Sequence, residues 1–330
     1  MESFCLEKNG ATVRYISDIP LKDYYLNTKD KLEFFDAKVI SDNKDITHTI
    51  YYQNKTTKKV LLVDANTIYI NYPFEKLSEQ IILYMGYHFL EKQFGEQGLA
   101  SCHSACVEKD DSATLLIGEA GSGKTSLALN LCQNDNFSLI SNDLTLIGLE
   151  SNTLKAFGGT KFINLRRDSV KENMPSLNHL FQNEEGWSEK VNVLAKEIGL
   201  KETTTKKEIK NIITIHTDNR LDKITIKKGD TWRNNFLLYQ NLTSHIRGHA
   251  ATFIDNLGHP IAYIPSFDTE QTYNKRMDII NYINNSPNYY YISGNLKDNL
   301  NFINNLYKQK VKIILIENDM NFICETVKEF

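Results

Sequence analysis

Apolar and polar residues alternate in short runs along most of the chain, and the period of each run predicts its secondary structure. The segment Thr67–Tyr72 alternates at every second position, which is typical of a half-buried strand. After Pro73, apolar side chains recur every three or four residues up to Gly95, which predicts an amphipathic helix. Other short apolar runs bounded by polar turns predict strands over 46–53, 60–63, 99–107, 113–117, 137–141, 145–149, 162–165, 212–215, 224–226 and 289–292.

Helical periodicity returns between the later strands, and it predicts helices over 126–131, 232–242, 270–283 and 300–307. Strands that alternate with helices are typical of an α/β fold, here with a mixed sheet. We place a domain boundary near residue 96, between a smaller N-terminal α/β domain of unknown role (1–95) and a larger domain (96–330). A chain of 330 residues is long enough for two domains of this kind.

Charge and hydropathy argue against two classes of partner. The formal net charge is −3, so no global field attracts the chain to nucleic acid or to an anionic membrane surface. The longest apolar stretch, Ile81–Leu90, is too short and too polar to span a bilayer. We therefore expect no nucleic-acid partner and no membrane partner.

The cysteines indicate a reducing compartment. Their number is odd and their spacing irregular, which does not make a disulfide framework. They are Cys5, Cys102, Cys106, Cys132 and Cys324. The segment Met1–Glu7 lacks the charged and apolar regions of a signal peptide. We expect a cytoplasmic protein.

A glycine-rich segment between a predicted strand and a predicted helix matches the pattern G-x-x-x-x-G-K-[ST]. Glycines at such a turn let backbone N–H groups point at a polyphosphate, and the helix N-terminus adds its dipole. Lys124 then reaches the β- and γ-phosphates, while the Thr125 hydroxyl binds Mg²⁺. We expect a nucleoside triphosphate, by default ATP, bound by Gly118, Glu119, Ala120, Gly121, Ser122, Gly123, Lys124, Thr125 and Ser126.

An acidic residue follows this motif after a short interval. Asp143 lies nineteen residues beyond Lys124, at the end of the next predicted strand. A carboxylate at that strand end lies beside the phosphates, where it can hold Mg²⁺ directly or through water. Many ATPases with this phosphate-binding motif place the acidic residue much farther along the chain, so the short spacing favours particular subfamilies of proteins with the motif.

The strand before the motif carries a histidine between two cysteines. On a strand, Cys102, Ser104 and Cys106 share one face and His103 points to the other. Ligands on opposite faces cannot converge on one tetrahedral metal ion. We therefore expect buried thiols and a separately oriented His103 instead of a zinc site.

Three segments together resemble the HPr kinase/phosphorylase family and, more closely, the related serine kinases of peptide-modification gene clusters. They are His103–Val107, Leu115–Thr125 and Leu139–Asp143. The resemblance implies a P-loop nucleotide-binding domain of the HPr kinase/PEP carboxykinase-like type over 96–330. It does not cover the N-terminal 95 residues.

The resemblance implies a kinase that transfers the γ-phosphate of ATP to a hydroxyl, usually a serine of a protein or peptide. By position, Lys124 binds phosphate, Thr125 and Asp143 are the metal partners, and His103 lies near the phosphate site. Arg166 or Arg167 can neutralise the transferring group, since a guanidinium fork suits phosphate oxygens. The alternative for these arginines is a surface ion pair with the acidic residues 184–185. Relatives often form rings, so a homo-oligomer is compatible with the resemblance.

One position departs from the family. Where relatives have two adjacent carboxylates, this chain has Asn142 and then Asp143. An amide cannot take the acceptor's proton, although it can orient a hydroxyl. Three explanations stand: Asp143 does both tasks, His103 is the base, or the acceptor is already anionic. Neighbouring residues on a strand face opposite ways, so Asn142 and Asp143 cannot exchange roles without a bulge.

Two further functions remain open at this point. A nucleotide-binding regulatory or scaffold module fits if Asn142 marks a degraded catalytic pair, and an ATPase coupled to other work is the third. Trp187 is a candidate for a lid over the site. The other histidines are expected to be structural or solvated, namely His88, His179, His216, His245, His249 and His259.

Overall fold

The structure is a computed structural model that describes residues 1–27, 37–42, 45–55, 60–181, 189–248, 252–254, 260–263 and 266–308. It groups the chain into two compact units, Met1–Cys102 with Leu242–Asp278, and His103–Asn241 with Ile279–Phe330. The boundary expected near residue 96 lies close to the end of the first segment, and the chain returns to the first unit at Leu242.

The helices separate groups of one to four consecutive strands along the part of the chain that the structure describes. The strands are β1 (Glu2–Lys8), β2 (Ala11–Ser17), β3 (Lys38–Ile40), β4 (Thr49–Gln53), β5 (Val60–Val63), β6 (Thr67–Asn71), β7 (Leu99–Lys109), β8 (Ser112–Ile117), β9 (Ser138–Ser141), β10 (Leu144–Glu150), β11 (Thr153–Gly159), β12 (Phe162–Arg166), β13 (Lys190–Leu194), β14 (Lys207–Thr217), β15 (Thr225–Lys228), β16 (Thr252–Ile254), β17 (Pro260–Tyr263) and β18 (Tyr289–Gly294). The helices are α1 (Leu21–Asn27), α2 (Glu79–Glu96), α3 (Lys124–Asn134), α4 (Arg167–Asn173), α5 (Trp232–Thr243), α6 (Glu270–Asn284) and α7 (Leu296–Tyr307). The predicted α/β class is confirmed.

The first unit contains a six-stranded mixed sheet in the order β3-β1-β2-β4-β6-β5. Strands β1 and β2 form a hairpin, whose turn residues Asn9 and Gly10 have φ of 49° and 81°. Helix α2 packs closely on β2, and the Tyr15 hydroxyl on β2 donates to the carbonyl of Leu83 on α2 at 2.6 Å. At Gly86 any side chain would overlap the Tyr15 ring, so the helix approaches the sheet through a glycine.

Helix α2 is buried on more faces than its apolar stripe predicts. Met85 and Phe89 belong to the predicted stripe, but Tyr87 and Glu91 on other faces are buried as well. Pro73 starts a short 3₁₀ turn, and α2 itself begins at Glu79, where the Ser78 hydroxyl accepts from the N–H of Ile81. An amphipathic pattern identifies the helix without revealing that its polar residues are enclosed.

The second unit contains the larger sheet, in the order β11-β10-β7-β8-β14-β18-β15, with β9 paired to β7. Strands β8, β14 and β18 run parallel, so their carboxyl ends meet at one edge of the sheet. The β8 side chains are buried throughout, as expected for a central strand, and α3 leaves that edge directly after β8. This edge is where ligands bind in open parallel sheets.

No helix among the described residues combines the length and the apolar character needed to cross a membrane.

Candidate functional site

The glycine-rich loop connects the end of β8 to the start of α3, as its sequence context predicts. Gly123 caps α3 with a φ of 92°, a conformation that side chains other than glycine rarely adopt. A Cβ at Gly123 would lie 2.6 Å from Oγ1 of Thr217, and one at Gly118 would lie 2.9 Å from the carbonyl oxygen of Ile215. Both glycines therefore allow the loop to lie directly against β14.

Lys124 is enclosed by the loop that precedes it. Its side chain is only slightly exposed, and Nζ donates to the carbonyl oxygens of Gly118 at 2.8 Å and Glu119 at 3.0 Å. The ammonium group is thus held within the loop by two carbonyls that an anionic ligand can replace as partners. Ser126, one helical position after Thr125, contacts Oγ of Ser169 at 2.9 Å.

His103 and Asp143 come together at the site from different strands. His103 lies on β7, and its Nε2 is 3.3 Å from Oδ1 of Asp143. The Asp143 side chain is 70% exposed and that of His103 is 33% exposed, so the pair faces solvent within the cavity. On the other face of β7, Ser104 and Cys106 are fully buried.

A strained turn orients Asp143. Its φ is 74°, and the N–H of Leu144 donates to the carbonyl of Asn142 at 3.0 Å, which makes a γ-turn centred on Asp143. Strand β9 has already ended at Ser141, so strand alternation does not govern the next two residues. Asn142 and Asp143 therefore both line one cavity, which differs from the expectation that they face opposite ways.

Asn142 is buried, and of its two side-chain polar atoms one has a hydrogen-bond partner among the described residues. It is 3% exposed, and its Nδ2 donates to the carbonyl of Phe162 at 3.3 Å. Its Oδ1 has no hydrogen-bond partner within the described part of the chain. Ser122 Oγ, in the loop, is in the same condition. Both oxygens are enclosed, and Asn284 and Asn299, which do not line this cavity, also keep amide oxygens without a described partner, so the condition alone does not indicate a ligand.

The cavity measures about 760 Å³ and brings most of the predicted residues together. They are His103, Ala120, Gly121, Ser122, Gly123, Lys124, Thr125, Ser126, Asp143 and Arg166. Gly118 and Glu119 do not line it. Gly118 supplies a carbonyl to Lys124, and the Glu119 carboxylate lies 3.0 Å from Arg233 on α5.

The two candidate arginines have different surroundings. Arg166 is exposed at the end of β12 and lines the cavity, opposite Lys190 in the β12–β13 ladder. Arg167 is paired with Glu189 at 2.6 Å and lies over the ring of Phe181 at 5.3 Å. The acidic residues 184–185 and Trp187 lie outside the described residues.

Three further cavity residues lie at the end of β14. His216 was expected to be structural or solvated, whereas Asp218 and Arg220 were not among the predicted site residues. The Arg220 guanidinium donates to both Asp218 oxygens, at 2.9 and 2.8 Å, and these hydrogen bonds hold the pKa of Asp218 well below its usual range. Sheet topology could have identified these residues. A strand that is parallel to β8 and next to it has its carboxyl end at the same edge, so the residues that follow it reach the cavity.

The donor set fits a magnesium ion that arrives with a nucleotide. Among the described residues, no three His, Cys, Asp or Glu side chains are arranged to hold a metal ion. Mg²⁺ typically takes one or two carboxylates together with substrate phosphates and water. The Thr125 hydroxyl and the Asp143 carboxylate can supply that protein share beside the loop.

The remaining histidine predictions concern places away from this cavity. His179 Nδ1 contacts the carbonyl of Ser176 at 2.8 Å. His88 is enclosed in α2, where burial lowers its pKa to about 3. His249 and His259 lie outside the described residues.

Comparison with known proteins finds one distant structural likeness to report. No protein-family model matches the chain, and no curated protein matches it. Among solved structures, the chain is similar to the Hpr(Ser) kinase/phosphatase from Coxiella burnetii, with 19% identity and a TM-score of 0.24. The match covers 34% of this chain and 63% of that one, so it spans less than two thirds of the solved chain.

Proposed function

We propose that the protein is an ATP-dependent kinase that transfers the γ-phosphate to a side-chain hydroxyl of a protein or peptide. Its catalytic domain would be a P-loop domain of the HPr kinase/PEP carboxykinase-like type. The observation that carries the proposal is the His103–Asp143 pair, which faces the same cavity as Lys124 and the glycine-rich loop.

The loop would bind the triphosphate. Its backbone N–H groups and the first turn of α3 favour anionic oxygens, and Lys124 would exchange its two carbonyl partners for phosphate oxygens. Thr125 and Asp143 would hold Mg²⁺, which neutralises phosphate charge when it is bound. Arg166 and Arg220 add positive charge to the same cavity.

The acceptor's proton has a plausible route despite the asparagine at position 142. If Nε2–H of His103 donates to Asp143, the ring nitrogen left to accept a proton is Nδ1. Nδ2 of Asn142 is anchored to the carbonyl of Phe162, and the enclosed Oδ1 would accept a hydrogen bond from the acceptor hydroxyl after the site rearranges on binding. Asn142 would then orient the hydroxyl, and His103, positioned by Asp143, would accept its proton.

A second candidate is a nucleotide-binding regulatory module, and Asn142 is the observation that favours it. An amide in place of a carboxylate leaves a site that binds nucleotide and transfers nothing. The two functions differ in whether label from ATP reaches another molecule.

The test is incubation of the purified protein with γ-labelled ATP and Mg²⁺, alone and with lysate of its source cells. A kinase labels a discrete protein or peptide, and the Lys124→Ala variant does not. Lys196→Ala, an exposed lysine outside the cavity, is the matched control and should label normally. Nucleotide binding without transfer to any fraction would favour the regulatory module, and loss of label in both lysine variants would refute the site assignment.

A further inference from the structure

A second cavity of about 560 Å³ adjoins the first in the second unit. Three residues line both cavities, namely Glu172, Asn173 and Asn219. The rest of the second cavity is formed largely by α7, where Leu296 and Leu300 lie one turn apart. It is shallower and more open to solvent than the first cavity.

The shared wall is built around Asn219. Its Nδ2 donates to Glu172 at 2.7 Å and to Asn173 at 3.0 Å, and its Oδ1 accepts the N–H of Leu296 at 3.0 Å. These bonds connect α4, the end of β14 and the first turn of α7. A ligand that extends from the first cavity therefore meets a preformed boundary and not a mobile surface.

The two cavities differ in their lining. The first combines four cationic side chains (Lys124, Arg166, Lys190 and Arg220) with four carboxylates (Asp143, Asp168, Glu172 and Asp218), and its wall includes the glycine-rich loop, whose N–H groups favour anionic oxygens. The second has one lysine, Lys297, against Asp135 and Glu172, and is otherwise made of amides and leucines. Phosphate oxygens are favoured in the first, while an uncharged ring with hydrogen-bonding edges suits the second.

We propose that the second cavity binds the nucleoside part of the nucleotide whose phosphates occupy the glycine-rich loop. The base lies against Leu296 and Leu300, with Asn301 and Asn304 available to its polar edge, and Glu172 at the shared wall accepts from the ribose hydroxyls. This inference rests on the proposed function, because it requires a triphosphate in the first cavity.

A competing position for the base exists in the same unit. Trp232 and Phe236 on α5 are stacked at 5.7 Å and are 81% and 51% exposed. Arg233, beside Trp232, reaches Glu119 of the glycine-rich loop at 3.0 Å. A base stacked on this pair would leave the second cavity empty, so the experiment must separate the two.

The experiment compares the affinities of the full chain for Mg²⁺–ATP and Mg²⁺–tripolyphosphate by calorimetry. Asn301→Trp places a bulky side chain in the second cavity from an exposed helix position. We expect it to weaken ATP binding about tenfold or more, as loss of one or two good contacts does, and to leave tripolyphosphate binding unchanged. Asn281→Trp, on the exposed side of α6, is the control and should change neither.

Glu172→Gln gives a second reading that needs no bulky side chain. The ribose assignment predicts that 2′,3′-dideoxy-ATP binds the parent protein several-fold more weakly than ATP. The variant should reduce this difference, because the uncharged Gln carbonyl is a weaker acceptor than the carboxylate. Equal affinities of the parent for ATP and tripolyphosphate would overturn the nucleoside site while leaving the loop assignment intact. A loss of ATP affinity in Trp232→Ala but not in Asn301→Trp would place the base on α5 instead. Failure to bind either ligand would refute the proposed function itself.

Discussion

Two carboxylates, one in each unit, have hydrogen-bonding neighbours, but one is buried and the other is exposed. In the first unit, Glu91 on α2 is 4% exposed and accepts from the hydroxyls of Tyr87 and Ser101. Burial raises the pKa of Glu91 to about 7. In the second unit, Asp143 is 70% exposed on a strained turn and meets His103.

The comparison distinguishes an enclosed polar cluster from one that faces a cavity. The two hydroxyl donors of Tyr87 and Ser101 already engage Glu91, which leaves little for a ligand to add. Around Asp143, the neighbouring Asn142 and Ser122 keep buried oxygens that no described residue satisfies. Unsatisfied buried atoms occur near both carboxylates, since Nε2 of His88 and Nε of Arg276 also have no described partner. The exposure of the carboxylate therefore separates the two clusters, whereas residue type does not.

The largest effect should follow the loss of the loop lysine. Lys124→Ala removes the cation that would meet the β- and γ-phosphates, and we expect kcat/KM for phosphate transfer to fall by about 10³-fold. The free energy of unfolding should change less than the rate, because the hydrogen bonds that Nζ donates to Gly118 and Glu119 lie within its own loop. Steady-state transfer assays and urea titration measure the two quantities, and an active variant would remove the loop from the site.

The next test addresses the exposed carboxylate, Asp143. Asp143→Asn keeps the volume and removes the charge that would hold Mg²⁺ and orient His103, so we expect about a 10²-fold loss of transfer with nucleotide binding retained. Asp168→Asn, in the same cavity, is the matched control. Undiminished transfer by the Asp143 variant at saturating Mg²⁺ would show that this pair is not the reaction centre.

Replacing the buried carboxylate, Glu91, should change the free energy of unfolding and its dependence on pH. Glu91 ordinarily titrates near 4.5, so its raised folded pKa favours the fold below pH 4.5, and this contribution is lost as pH rises towards about 7. Glu91→Gln has no such loss. The unfolding free energy of the variant minus that of the parent should therefore grow by up to about 3 kcal/mol over that interval.

This difference isolates Glu91 from other buried groups. Burial lowers the pKa of His48 to about 4 and that of His88 to about 3, which gives both proteins the opposite pH trend. Denaturant titrations of the pair at several pH values provide the measurement. A constant difference between the two proteins would mean that Glu91 titrates normally in the fold.

The smallest effect concerns Asn142. Asn142→Asp would set a carboxylate oxygen against the carbonyl of Phe162, where Nδ2 now donates. We expect a loss of about 2 kcal/mol in unfolding free energy and no gain in transfer. A marked gain in transfer would instead identify Asn142 as a degraded catalytic position and favour the regulatory function.

Local patterns predicted most of the elements and the loop, because periodicity and glycine spacing are local properties. The hairpin at Asn9-Gly10 was missed although this dipeptide is a strong turn signal. The return of Leu242–Asp278 to the first unit was not predictable, since composition does not report which distant segments pack together. The same limit hid Asp218 and Arg220, which reach the cavity only through the parallel pairing of β8 and β14.

The γ-turn at Asp143 sets the stability of the fold against the proposed activity. A left-handed φ of 74° suits glycine better than aspartate, so an unselected chain would drift towards glycine at this position. Asp143→Gly should raise the unfolding free energy by about 1 kcal/mol while abolishing transfer. A variant that gains stability and loses transfer would indicate that the aspartate at this position serves the proposed reaction, whereas a variant that keeps transfer would remove Asp143 from it.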